Sequence, residues 1–196
     1  MLQTERFEKA IILFDAYNSN DPHLEITGEG SVPKELLYAR RMTEKLEHFA
    51  PEAPEYLRLA ARCQHVGRWE IPRESYPKDR KGYLKWRDRL KDHHAKIAQQ
   101  ILKDCEYEME IIDKVKFLLL KKELRKNAET QTLEDVICLV FVQYYLDEFA
   151  IKHENEKVKE ILRKTMKKMS SRAIHEAGRI SVSEKIKSLM QQAASE

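Results

Sequence analysis

Residues 132–142 read Thr-Leu-Glu-Asp-Val-Ile-Cys-Leu-Val-Phe-Val. From Val136 onward every side chain in this run is apolar, so a helix built from it has no polar face and belongs at the centre of a bundle. Thr132 with Asp135 three residues later has the spacing of a capping box, which predicts that the helix opens at Thr132. The chain has only 5 Gly and 6 Pro among 196 residues, too few turn-formers for a sandwich or barrel of short strands. The expectation is an all-α, single compact multi-helix domain around a central apolar helix.

Working outward, Phe7, Ile11 and Phe14 predict a first helix over Thr4 to Tyr17. Residues 18–31 collect Asn, Asp, Pro, Gly and Ser and read as a long loop. Pro33 opens a helix carrying Leu37, Leu46 and Phe49, and Pro54 opens a third with Leu57, Leu59, Ala60 and Cys63, leading to His65 and Gly67. Residues 69–78 are irregular, broken by Pro72 and Pro77. Tyr83, Trp86, Leu90, Ile97 and Ile101 then mark a long helix, with His93 and His94 where its stripe continues, and Ile111 to Leu119 mark a fifth. After the apolar helix come amphipathic segments near Val158–Met169 and Ser181–Met190, the second with Ser181 and Glu184 as a capping box. The expected division is a helical domain over 1–169 and a basic helical extension over 170–196.

Net charge is +3, too small by itself to imply a nucleic-acid partner. From Glu156 onward 10 Lys or Arg face 5 acids, leaving the tail at about +5 and the rest at about −2. The tail has no stacking aromatics and no recognition-helix pattern, which disfavours nucleic acid there. Cys63, Cys105 and Cys138 are odd in number and far apart, and read as buried thiols in a reducing compartment. No apolar run reaches the roughly 18 residues of a membrane span, and the first residues carry charges through their apolar stretch. A cytoplasmic protein is the expectation.

Arg62 to Lys91 holds 10 Lys or Arg against 4 acids, interleaved with Trp69, Tyr76, Tyr83 and Trp86. Guanidinium forks bind phosphate or carboxylate, and aromatic rings stack on bases or clamp sugars. The segment therefore points to a small anionic or phosphorylated ligand near His65. Arg62, Arg68 and Arg73 flank that position, and Trp69 and Arg87 complete the expected contacts. The plainer reading stands beside it: Tyr83 and Trp86 in a core stripe, with Lys81, Lys85 and Arg89 on a solvated face paired to Asp88 and Asp92. His65 reads as a general base or metal ligand, or as a structural histidine bonded to a carbonyl at a helix end. His94 lies on an apolar stripe, with His93 equally well placed by spacing, and a buried histidine needs a partner, for which Asp135 or Glu134 would serve. Both acids read equally well as helix-stabilising first-turn residues.

Leu59-Ala-Ala-Arg-Cys-Gln-His-Val-Gly-Arg-Trp-Glu-Ile-Pro72 resembles the second-motif region of the HD-domain metal-dependent phosphohydrolases, with Gln64-His65 where that superfamily has His-Asp. Tyr38-Ala-Arg-Arg-Met42 falls where its first histidine would be, His94 where its auxiliary histidine would be, and Asp135 where its last aspartate would be. Over Phe7 to Met169 the chain more closely resembles an uncharacterised family, DUF4202, through Pro33–Met42, Arg62–Arg87 and Leu133–Phe141. The HD resemblance implies an HD-like fold, a divalent metal held by His65, His94, Asp135 and Gln64, and hydrolysis of a phosphoester with His65 and Asp135 as catalytic residues. Two other classes of function stay open. One is a non-catalytic module that senses a ligand or docks a protein; the other is a nucleic-acid-associated protein acting through the basic tail.

Overall fold

The computed structural model describes residues 3–28 and 30–195. Its first helix, α1 (Gln3–Asn18), buries Ala10 and Phe14 completely. It stops where the Ser19 hydroxyl and the Asn20 amide donate back to the carbonyls of Asp15 and Ala16.

The stretch expected to be a long loop contains an antiparallel hairpin, β1 (Leu24–Thr27) against β2 (Gly30–Pro33), with Leu24 opposite Pro33 and Thr27 opposite Gly30. Gly30 has φ +117°, a conformation that turns demand and that only glycine adopts readily. The alternating Leu24 and Ile26 carried the strand signal, but four-residue strands are too short to outweigh the turn residues around them.

α2 (Lys34–Phe49) follows at once and buries Glu35, Leu36, Tyr38, Ala39, Met42, Leu46 and Phe49. α3 (Glu55–Arg62) packs on α1 and α2. The irregular segment holds two 3-10 turns, Arg68–Glu70 and Arg73–Ser75. α4 (Arg80–Asp104) starts where the Asp79 carboxylate accepts the Gly82 N–H at 2.6 Å. α5 (Met109–Leu119) lies against α3 and α4. These elements form one compact unit, residues 1–122, around Phe14, Met42, Leu46, Leu59, Leu102, Ile112 and Leu118.

Residues 123–196 form a second compact unit. Its α6 (Ala128–Tyr144) carries the apolar run, and Leu133, Val136, Cys138, Leu139, Val140 and Val142 are all buried, as a helix without a polar face requires. Its start differs from the expected one. Asn127 is the cap, accepting the Thr130 N–H at 2.8 Å, while Thr132 lies inside the helix and donates to the Ala128 carbonyl. Asparagine is among the best caps, and the four residues after it tolerate helix, so the box at Thr132 was never needed. α7 (Leu146–Lys152), α8 (Asn155–Met166), α9 (Ser171–Ala177) and α10 (Glu184–Ser195) follow. α10 is capped by Ser183, which accepts the Ile186 N–H, and not by Ser181.

The basic tail is a structural part of this unit. Ile186, Leu189 and Ala193 of α10 share a core with Val142, Leu146, Ala150, Val158 and Leu162. The fold is all-α apart from the hairpin, the three cysteines are buried thiols outside any disulfide, and no helix among the described residues is long and apolar enough to cross a membrane.

Candidate functional site

The first unit gathers polar side chains from several elements around His65. Asn18, fully buried at the end of α1, holds two of those elements in place: its amide reaches the Glu35 carbonyl at 3.4 Å, and its oxygen accepts the Gly67 N–H at 3.3 Å. Asp21, also buried, accepts the Glu35 N–H at 3.0 Å and both the N–H and the ring Nδ1–H of His23 at 2.9 Å. The start of α2 and the turn after α3 are thereby pinned to the same loop. Gly67 has φ +68°, and a Cβ there would fall 2.5 Å from the Ile97 side chain. Its missing side chain lets α4 approach closely enough to deliver His94.

His65 Nδ1 lies 3.2 Å from a Glu35 carboxylate oxygen, and Arg68 Nε lies 3.4 Å from the other. Arg68 Nη1 faces His65 Nε2 at 3.5 Å. A guanidinium only donates, so Nε2 carries the lone pair and Nδ1 carries the proton given to Glu35. Tyr38 stacks on the imidazole with centroids 4.0 Å apart, and its hydroxyl donates to Gln64 Oε1 at 3.5 Å. The His94 ring is 5.7 Å from that of His65. Its Nδ1–H donates to the Val66 carbonyl at 2.7 Å, so a backbone group, not a carboxylate, is its hydrogen-bond partner.

Electrostatics follow from burial and from a concentration of positive charge. Burial pushes Glu35 up to about 7, against the downward pull of Arg68. It holds His65 well below its ordinary 6.5, and Arg68, Lys121, Arg87 and Lys34 depress it further by repulsion. His94 is lowered to about 3, first by burial and then by its neighbour His65. Both imidazoles are neutral at physiological pH.

Beside this cluster opens a pocket of about 180 Å³, lined by the cations Lys34, Arg68 and Arg73, the acids Asp21, Glu35 and Glu74, and the Trp69 and Trp86 rings. Arg68 lies over the Trp86 ring at 4.9 Å, and Trp86 is itself anchored by its indole N–H to the Ile71 carbonyl at 2.8 Å.

The structure therefore unites Gln64, His65, Arg68 and His94, with Trp69 and Arg73 at the adjoining pocket. Arg87 contributes to the positive field at His65. Arg62 is engaged elsewhere: its guanidinium forks onto the two oxygens of Asp15 at 2.7 and 2.5 Å and also reaches Thr43, tying α1, α2 and α3 together. Arg73 spends its two terminal nitrogens on the carbonyls of Tyr76 and Pro77. Asp135 belongs to the second unit, where it accepts the N–H and hydroxyl of Ser170 and the amide of Gln131. His93 lies 3.0 Å from Glu70.

The donor set does not suit a divalent cation. The Nε2 lone pair of His65 faces a guanidinium, Arg68, Lys121, Arg87 and Lys34 add positive charge at that ring, and Gln64 supplies a neutral oxygen already bonded to Tyr38. Among the described residues, no three His, Cys, Asp or Glu side chains are grouped to hold a metal ion.

Sequence reasoning missed Glu35, Asn18, Asp21 and Lys34. Glu35 had a legible signal: it falls in register with Tyr38, Ala39, Met42 and Leu46, so an acid lies on the buried stripe of α2. Asn18 and Asp21 had none, because their role depends on partners 14 or more residues away.

The profile of one protein family, described as a domain of unknown function (DUF4202), matches residues 8–190. No curated protein and no solved structure matches the chain.

Proposed function

The chain belongs to the DUF4202 family, and because that description carries no activity, we propose from the geometry of the first unit that it binds a small phosphorylated or otherwise anionic ligand. The observation that carries this reading is the open pocket where Lys34 and Arg68 converge beside the Glu35–His65 pair. Its volume of about 180 Å³ suits a phosphate-sized group, with Trp69 available for an attached ring. Phosphoester hydrolysis is the reaction class it suggests. His65 would act as general base through Nε2, oriented by Glu35, once the anion has drawn Arg68 toward itself. The reading of a divergent HD-like domain is supported by the meeting of Tyr38, Gln64, His65 and His94, the positions onto which that pattern maps within the first unit.

One observation favours a second, non-catalytic reading. Arg68 lies 3.5 Å from the only open nitrogen of His65, where a base would need to meet a proton. In that version the pocket senses its ligand without turning it over.

Calorimetric titration with inorganic phosphate and a set of phosphate monoesters tests the binding claim. Saturable binding is expected, with a loss of tenfold or more in Arg68→Ala and Lys34→Ala. No binding to the parent protein, or equal binding by those variants, refutes it. Turnover assays on the same compounds, with and without added Mg²⁺ or Mn²⁺, separate the two versions.

A further inference from the structure

Hydrolysis of a phosphoester moves two protons, one from the attacking water and one to the departing oxygen. His65 is placed to serve only the first. Its Nδ1 proton is held by Glu35, and its Nε2 offers a lone pair and no proton. The pocket lining contains a second imidazole, that of His23, in the connection between α1 and the hairpin.

The surroundings of His23 orient its ring. Nδ1–H donates to Asp21 Oδ1 at 2.9 Å, and the His23 backbone N–H donates to the same oxygen at 2.9 Å. The His23 carbonyl accepts the Lys34 N–H at 2.8 Å. The Asp21 side chain is 1% exposed and is fixed in turn, because its other oxygen accepts the Glu35 N–H at 3.0 Å. A buried carboxylate on Nδ1 sets the direction of an imidazole and leaves Nε2 as the nitrogen that exchanges protons. The His23 side chain is 66% exposed, and its Nε2 has no partner among the described residues. That nitrogen is therefore open to a bound ester.

The rest of the lining offers weaker donors. Glu35 already serves His65 and Arg68, and Trp86 gives its N–H to the Ile71 carbonyl. Glu74 is exposed on the Arg73–Ser75 turn, with no hydrogen bond or ion pair among the described residues to orient it.

We propose that His23 is the general acid of this site, giving a proton from Nε2 to the leaving oxygen of a phosphoester while Asp21 holds the ring. This assignment rests on reading the pocket as a phosphoester site. As the water oxygen bonds to phosphorus, His65 Nε2 takes its proton. The bond from phosphorus to the leaving oxygen breaks, that oxygen keeps the electron pair, and His23 protonates it. The products are inorganic phosphate and an alcohol. His65 ends with one proton more and His23 with one fewer, and exchange with solvent restores both.

Turnover of phenyl phosphate and of dinitrophenyl phosphate by the full chain tests the assignment. The first leaving group needs a proton as it departs, and the second leaves unaided. His23→Ala is expected to slow phenyl phosphate on the order of 100-fold and dinitrophenyl phosphate hardly at all. Added imidazole is expected to restore the first reaction in that variant, and Asp21→Asn to slow it with the same selectivity. Calorimetric titration with inorganic phosphate is expected to show that the pocket persists in His23→Ala. Equal slowing of both esters, loss of phosphate binding together with turnover, or a selective loss in Glu74→Gln in place of His23→Ala overturns the assignment. If the parent binds phosphate and turns over neither ester, the acid role falls and the binding reading stands; if it binds no phosphate, both fall.

Discussion

The Tyr38 ring lies flat on the His65 imidazole, with centroids 4.0 Å apart and planes inclined by 13°. The position where the HD resemblance would place a histidine ligand is therefore a wall that keeps water from one face of His65. Together with Glu35 on Nδ1 and Arg68 toward Nε2, it fixes the tautomer and the charge of the ring.

His65 should accordingly remain neutral as the pH falls through 6.5, with its proton on Nδ1. Nitrogen-15 NMR titration of the imidazoles checks this. Tyr38→Ala, which wets the ring, is expected to move its midpoint back toward 6.5. An ordinary midpoint in the parent protein would show that neither burial nor the cations around the ring depress it.

Glu35 gives a stability profile of definite sign. Below 4.5 its carboxyl is protonated in both folded and unfolded chains, and its contribution is fully present. Between 4.5 and about 7 the folded chain keeps the proton that the unfolded chain releases, so stability declines as pH rises, by about 3 kcal/mol in all. His65 and His94 act oppositely, losing their contribution as pH falls below 6.5. Glu35→Gln is therefore compared with the parent at each pH by urea unfolding. Its relative stability should rise between about pH 5 and about pH 8. A constant difference across that range would contradict the raised value.

Asn18→Ala leaves the Glu35 carbonyl and the Gly67 N–H without their side-chain partner in dry surroundings. A loss of about 3 kcal/mol in unfolding free energy is expected. Phosphate affinity should fall with it, because the two segments that position Glu35, His65 and Arg68 come apart. A change below about 0.5 kcal/mol would mean that the clamp is dispensable.

Asp135 is expected to act on stability within its own unit. It receives the Ser170 N–H at 2.8 Å and hydroxyl at 2.5 Å, and Ser170 in turn caps α9 by accepting the Ala173 N–H. Asp135→Ala should cost about 2 kcal/mol. In a double-mutant cycle, Asp135 and Ser170 should couple by about 1 kcal/mol or more, and phosphate affinity should stay at the parent value. Loss of binding without loss of stability would make Asp135 a site residue.

The legible parts of the molecule were those encoded in local periodicity. Val136 to Val142 announced a helix enclosed by others, and the stripes of α2 and α4 announced buried faces, because burial at 3.6-residue spacing is written in consecutive residues. Helix starts were less legible: Asn127 and Ser183 capped in place of Thr132 and Ser181, since several good caps stood within a turn of one another and packing selected among them. The hairpin was hidden by strands only four residues long.

The site divides in the same way. Residue types pointed to His65 and Arg68, to His93 or His94, and to a basic, aromatic segment suited to anions, while the HD resemblance singled out His94 and Gln64. Tertiary structure alone decided that Arg62 belongs to Asp15, that Asp135 serves Ser170, and that the carboxylate facing His65 is Glu35, 30 residues upstream. The chain specifies which side chains exist and which helical face each occupies. Which donor meets which acceptor is settled only when packed helices exclude water and every buried polar group takes the nearest available partner.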